Sequence, residues 1–165
     1  MPVVLARIDD RLIHGQVTAG WAPKLHPTRL ILANNTIAAD AWQSRVYAAS
    51  VPPGIETSIL SIAGAASFLD KKECAGGRAI LLTGSAEEMA ELLRLGAPLG
   101  RINVGGIHFK AGRVEMLPWV YVDRQELVAL RRLLEMGVEL SAQQVPGGRS
   151  VDVDEDLLRQ TEEKF

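Results

Sequence analysis

Residues 6–17 read ARIDDRLIHGQV. Two carboxylates, an arginine, a histidine and a glutamine follow directly on an apolar run. Imidazole loses its proton near pH 6.5, so a neutral, nucleophilic ring is available at cellular pH. Histidine forms covalent intermediates, and a phosphoryl group is the guest its neighbours suit best. Arg11 offers a forked pair of donors to phosphate oxygens. Asp9 or Asp10 can orient the His14 ring through its second nitrogen, and Gln16 and Ser85 can donate hydrogen bonds to the same anion. A helix starting at this point would add its own N-terminal amides. The plainer reading is that His14 packs against the core, that Asp9 and Asp10 cap a helix, and that Arg11 is their solvated partner. Spacing alone leaves both readings open.

The other two histidines weigh differently. His108 follows NVGG at another flexible strand end, and it is either a supporting residue of the same site or a hydrogen-bonded histidine of the core. His26 lies before a proline in KLHPTR and reads as surface loop. No HExxH or HxH spacing is present, so no metal is expected. The G-x-S-x-G elbow of serine hydrolases is absent. So are the G-x-G-x-x-G turn of dinucleotide folds and the P-loop. No cofactor is expected.

These residues need elements to hold them. Apolar runs rich in Val, Ile and Leu occur at 3–8, 29–34, 57–62, 78–84, 101–106, 119–122 and 137–145, and most lack strict alternation, as strands buried on both faces do. Helical patterns fill the gaps at 14–25, 37–50, 61–72, 85–96 and 123–137, with Pro23 distorting or ending the first. Ser85 with Glu88 and Asp123 with Glu126 form cap pairs, and Gly96 and Gly137 close the same helices. Residues 108–117 break the rhythm, and their Ala111-Gly112 centre reads as the turn of a small hairpin or a strand excursion. Asn34-Asn35 reads as a turn, and PGGRS (146–150) as a joint before a last, acidic helix over 151–165. Strand–helix alternation predicts an α/β fold, an open, mainly parallel sheet with helices on both faces. In such sheets ligands gather at the carboxyl ends of strands, where Asp9–His14, Asn34, Asn35, Thr83–Ser85 and Gly105–His108 all fall.

Length and composition set the frame. A chain of 165 residues, 47% hydrophobic and 23% charged, suits one soluble domain over 1–165. With a net charge of −2, a pI near 5.9 and no basic cluster, no nucleic-acid partner is expected. The single cysteine, Cys74, can form no internal disulfide. The opening residues lack the pattern of a signal peptide, and no apolar run reaches membrane-spanning length, so a cytoplasmic protein is expected.

The stretch ARIDDRLIHGQVTAGW strongly resembles the N-terminal signature of IIB subunits of bacterial phosphoenolpyruvate-dependent sugar phosphotransferase systems, in the mannose–fructose–sorbose class. The likeness continues through RLILANNTIAAD, RINVGGIHFKAGR and LVALRRLLEMGVELSAQQVP. The resemblance implies a seven-stranded, mainly parallel sheet. It implies a cytoplasmic phosphocarrier that takes a phosphoryl group from a IIA phosphohistidine and passes it to a sugar at membrane IIC and IID subunits. His14 stands at the position of the phosphorylated histidine, with Nδ1 as the expected acceptor. Arg11 matches the assisting arginine, and Asp9 or Asp10 the neighbouring carboxylate. A regulatory module of a system without transport subunits is the alternative. Such a carrier would meet the inner face of the membrane only through its partners. Trp21, Lys24 and Lys110 are candidates for the partner interface, and a homo-oligomer is compatible with the sequence.

Overall fold

Strands that are apolar at every position need cover on both faces. In the computed structural model, which describes residues 2–70 and 76–165, they have it. The strands are β1 (Val3–Ile8), β2 (Arg29–Ala33), β3 (Glu56–Leu60), β4 (Ala79–Thr83), β5 (Arg101–Val104), β6 (Val114–Leu117), β7 (Val120–Val122), β8 (Glu139–Ala142) and β9 (Val151–Asp152). Seven of them form one sheet in the order β3-β2-β4-β1-β5-β8-β9, and only the β8–β9 pair is antiparallel. This is the expected α/β architecture. Cys74 and the end of the pattern at 61–72 lie outside the described residues.

Along β2, alternate side chains enter opposite cores. Leu30 and Leu32 join Ile80 and Leu82 beneath Val17, Trp21, Ala22 and Ile37. Ile31 joins Ile8, Leu81 and Ile102 on the other face. That second face is covered by α4 (Ile62–Asp70), α5 (Ala86–Arg94), α6 (Arg124–Glu135) and α7 (Glu155–Glu162), which contribute Ala65, Met89, Leu92, Leu130, Leu133 and Leu158. No helix of the described residues is long and apolar enough to cross a membrane.

Four local expectations are corrected. Residues 119–122 hold a strand, β7, but it is not part of the main sheet. Only Pro118 and Trp119 separate β6 from β7, a connection that permits an antiparallel hairpin and no crossover, and the two strands form their own sheet. The seventh strand of the main sheet is instead β9, where the acidic helix was expected; that helix starts at Glu155, with Asp154 capping it through the Leu157 N–H. The 37–50 pattern is broken at Asp40, which is extended. It ends α2 (Asn35–Ala39) and caps α3 (Ala41–Ala49) by accepting from Trp42 and Gln43. Pro23 distorts its helix, one of the two outcomes expected. Residues Gln16–Trp21 are π-helical and run into α1 (Ala22–Leu25), with Pro23 in its first turn. A proline ring clashes with the carbonyl four residues back, and the wider π turn relieves that contact. A turn at Ala111-Gly112 is present, closed by Arg113 N–H on the Lys110 carbonyl, but residues 108–110 form no strand, and the hairpin turns at Pro118-Trp119 instead.

The cap pairs are as expected, with one addition. Glu126 of α6 is buried and reaches across to accept from the Ala86 N–H at the start of α5. Burial raises its carboxyl pKa, and the Ala86 bond only partly opposes that. A raised folded-state pKa means that the native state holds a proton which the unfolded state releases, so stability falls as pH climbs from the unfolded value through the folded one. Glu126→Gln keeps an acceptor for Ala86 without the charge. Urea unfolding is expected to show E126Q more stable than wild type at pH 7, with the difference shrinking toward pH ~4.

Candidate active site

Beyond the end of β1 at Ile8, two more residues bond to neighbouring stretches of the chain. Asp9 N–H bonds the Thr83 carbonyl at 2.9 Å, and Asp10 N–H bonds Gly106 at 3.0 Å. A turn then closes from Leu12 N–H to the Asp9 carbonyl at 3.0 Å, with Leu12 at φ 59. Left-handed backbone costs a leucine roughly 1–2 kcal/mol. Burial of its side chain, worth about 1.5–3 kcal/mol, offsets that. The turn presents the Leu12 carbonyl to the His14 ring, whose Nδ1 lies 2.9 Å away. A carbonyl only accepts, so Nδ1 carries the proton in this arrangement.

The loop sits where neighbouring strands part company. After β1 the chain crosses to the Trp21 side of the sheet, whereas after the adjacent β4 it crosses to the Met89 side. Departures to opposite faces open a crevice at the strand ends. His14 lines it with its side chain 15% exposed, and Arg11 is exposed beside it.

Beneath the loop lies a residue that the sequence reading passed over. Arg7, next to last in β1, is fully buried. Its Nη2 and Nε donate to Asp9 Oδ2 at 2.8 and 3.2 Å, and its Nη1 donates to the Asn103 side chain and to the Gln143 carbonyl. Nη2 also reaches the Gln144 carbonyl at 3.1 Å and Gln16 Oε1 at 3.3 Å. Burial lowers the Arg7 pKa, and Asp9 pulls it back up. Gly105 leaves room for this fork, since a Cβ there would stand 2.3 Å from Arg7 Cζ. The signal was available: a charge inside VVLARI must find a partner if the strand is buried. Residues two apart on an extended chain share a face, which joins Arg7 to Asp9 and turns Asp10 away.

The two carboxylates therefore divide. Asp9 Oδ2 faces His14 Nε2 at 3.7 Å and also accepts from Gly106 N–H, while Oδ1 accepts from Arg11 N–H. Asp10 gives both oxygens to His108, at 2.6 Å from Nδ1 and 2.8 Å from the backbone N–H. Neither carboxylate caps the helix that follows. Gln16 Oε1 lies 3.4 Å from His14 Nε2. Ser85 is at the same edge, but its hydroxyl oxygen caps α5 through Glu88 N–H, and no hydrogen bond joins it to His14 among the described residues. Asn34 caps α2 and holds Glu88, and the Asn35 side chain accepts from Ile62 N–H. Trp21 is buried, with its indole N–H on the Gln144 carbonyl at 3.1 Å and its ring 5.7 Å from the Arg7 guanidinium carbon, so it braces the site from below. Lys24, His26 and Lys110 are exposed. Among the described residues no three His, Cys, Asp or Glu side chains converge as a metal site would need.

Arg7→Met leaves Asp9 buried without its counter-charge. Breaking one side of such a pair typically costs about 3–5 kcal/mol. Chemical denaturation is expected to show that loss in R7M, and the double variant R7M/D9N is expected to recover part of it.

Known proteins share this sequence pattern and this fold. The family described as PTS system sorbose subfamily IIB component matches residues 3–164. The sorbose-specific EIIB component of Lacticaseibacillus casei is 30% identical over 165 residues, covering 100% of this chain and 98% of that protein. The mannose-specific EIIAB component of Escherichia coli K12 is 32% identical over 145 residues, 88% of this chain but 45% of that longer protein. The crystal structure of the IIBSor domain of the sorbose permease from Klebsiella pneumoniae superposes with a TM-score of 0.89 at 28% identity, covering 98% of each chain. On sequence and fold together, the chain belongs to the sorbose subfamily of phosphotransferase-system IIB components.

Proposed function

We propose that this IIB component is a cytoplasmic phosphocarrier, with His14 as its phosphorylated residue. Support comes above all from the placing of a partly exposed histidine at the sheet's crevice, over a buried Arg7–Asp9 pair and beside the exposed Arg11. In the proposed reaction a His14 ring nitrogen attacks the phosphorus of a IIA phosphohistidine in line. The new N–P bond forms as the donor's N–P bond breaks. A sugar hydroxyl at the IIC and IID subunits then attacks the same phosphorus, and its proton leaves to a base or solvent. Exchange between two imidazoles is nearly balanced, so the protein's task is positioning and charge neutralisation. Arg11 is the side chain free to follow the phosphoryl oxygens, and Asp9 fixes the loop that carries both Arg11 and His14. For Nδ1 to be the acceptor, it must give up its proton and its bond to the Leu12 carbonyl, so ring release precedes attack.

The acceptor we propose is a hexose of the kind named for the relatives. Sorbose-specific and mannose-specific proteins are about equally similar to this chain, at 30% and 32% identity. This supports a carrier whose sugar is chosen by its membrane partners and not by the surroundings of His14.

Incubation with a labelled IIA phosphohistidine donor is expected to place acid-labile, base-stable phosphate on the wild type and none on His14→Ala. Label retained in H14A would falsify the assignment. Arg11→Gln is expected to slow transfer by about 10²-fold, the scale for removing one charged donor from a transition state.

A further inference from the structure

Asp10 grips His108 in two ways. The bond from the His108 backbone N–H at 2.8 Å would by itself hold the loop after β5 against the loop after β1. The second bond, 2.6 Å from Oδ1 to the ring Nδ1, does something else. A carboxylate only accepts, so Nδ1 carries a proton, and the rest of the ring is left for other work. The side chain is 52% exposed, and its Nε2 has no partner among the described residues.

The ring's position shows where that nitrogen can act. The point where a Cβ would stand on Gly106 is 3.3 Å from His108 Cε1, the carbon bonded to both ring nitrogens. The same point is 3.6 Å from Asp9 Oδ1 and 3.7 Å from Arg11 Nη2. Asp9 is the carboxylate that faces His14. The His108 ring edge, the Arg11 guanidinium and the Asp9 carboxylate thus converge at Gly106.

We infer that His108, oriented by Asp10, binds the phosphoryl group carried by His14 and takes up a proton as it does so. The inference rests on the reading of His14 as the phosphoryl carrier. With Nδ1 protonated, a neutral ring presents a lone pair at Nε2, which repels a phosphoryl oxygen. The imidazolium presents an N–H, which donates to it. No covalent bond of His108 forms or breaks: Nε2 takes its proton from solvent. The fixed charges around the ring are mixed. Asp10 and Asp9 face it from the loop after β1, and Arg11 opposes them there. Arg113 donates to the His108 carbonyl at 2.8 Å and lies 3.7 Å from both Asp10 and Asp123 at the start of α6; Lys110 is exposed on the same loop. A dianion added to this set stabilises the imidazolium. By linkage, the protonated ring in turn favours the phosphorylated form as pH falls.

The test follows the His108 Cε1–H resonance by NMR from pH ~5.5 to ~8.5, the range in which histidines exchange protons, before and after charging by a IIA phosphohistidine donor. The titration midpoint of His108 is expected to rise by about one unit on phosphorylation, the scale of a nearby opposite charge, and by less in Asp10→Asn. A midpoint that stays put while His14 carries the label overturns the inference. A His14 that takes no label overturns the carrier reading instead. In a second measurement, the equilibrium share of phosphate held by wild type relative to His108→Gln is expected to grow about tenfold as pH falls from the upper limit to the lower, the counterpart of a one-unit shift. An unchanged ratio overturns the inference, and the wild-type titration does not depend on how H108Q folds.

Discussion

A guanidinium buried inside a parallel sheet is costly unless every donor finds an acceptor. Arg7 meets that demand chiefly with a carboxylate, an amide side chain and two backbone carbonyls, and these acceptors come from the loop just after β1, from β5 and from the segment after β8. Satisfying one side chain therefore fixes three stretches of chain at the same sheet edge. Asp9 is held by Arg7 and Gly106 and in turn holds the Arg11 backbone. The candidate site stands on an electrostatic foundation that is itself out of contact with solvent.

Above that foundation the loop is shaped by opposed local terms. Leu12 adopts a backbone conformation that leucine disfavours, and the burial of its side chain holds it there. The result aims a carbonyl at His14 and leaves Arg11 outside. Buried and more exposed parts thus alternate along the six residues from Asp9 to His14. Asp9 and Leu12 are anchored, Arg11 and the His14 ring are at the surface, and each exposed group is flanked by a fixed one.

Much of this was legible from composition and order along the chain. The continuous apolar runs gave β1, β2 and β4, because strands covered on both faces have no polar side to show. The caps at Ser85 and Asp123 were readable because capping is local. The β6–β7 hairpin and the two-residue β9 were not, since pairing partners are set by tertiary contacts and such short strands carry no periodicity. Asp40 looked like an ordinary helical residue although its side chain caps the helix that follows. Around His14 the chemistry was visible, but the roles of adjacent Asp9 and Asp10 were not separable by type. The pleat separates them, and Arg7 was the residue from which that could have been read.

The anchoring of Arg7 on the carbonyls of Gln143 and Gln144 has a consequence for change over time. A backbone oxygen is the same whatever side chain its residue bears. The segment after β8 can therefore alter its side chains freely beside the crevice while still closing the buried network. A surface next to His14 is left open to change, and the charge pair underneath need not be rebuilt.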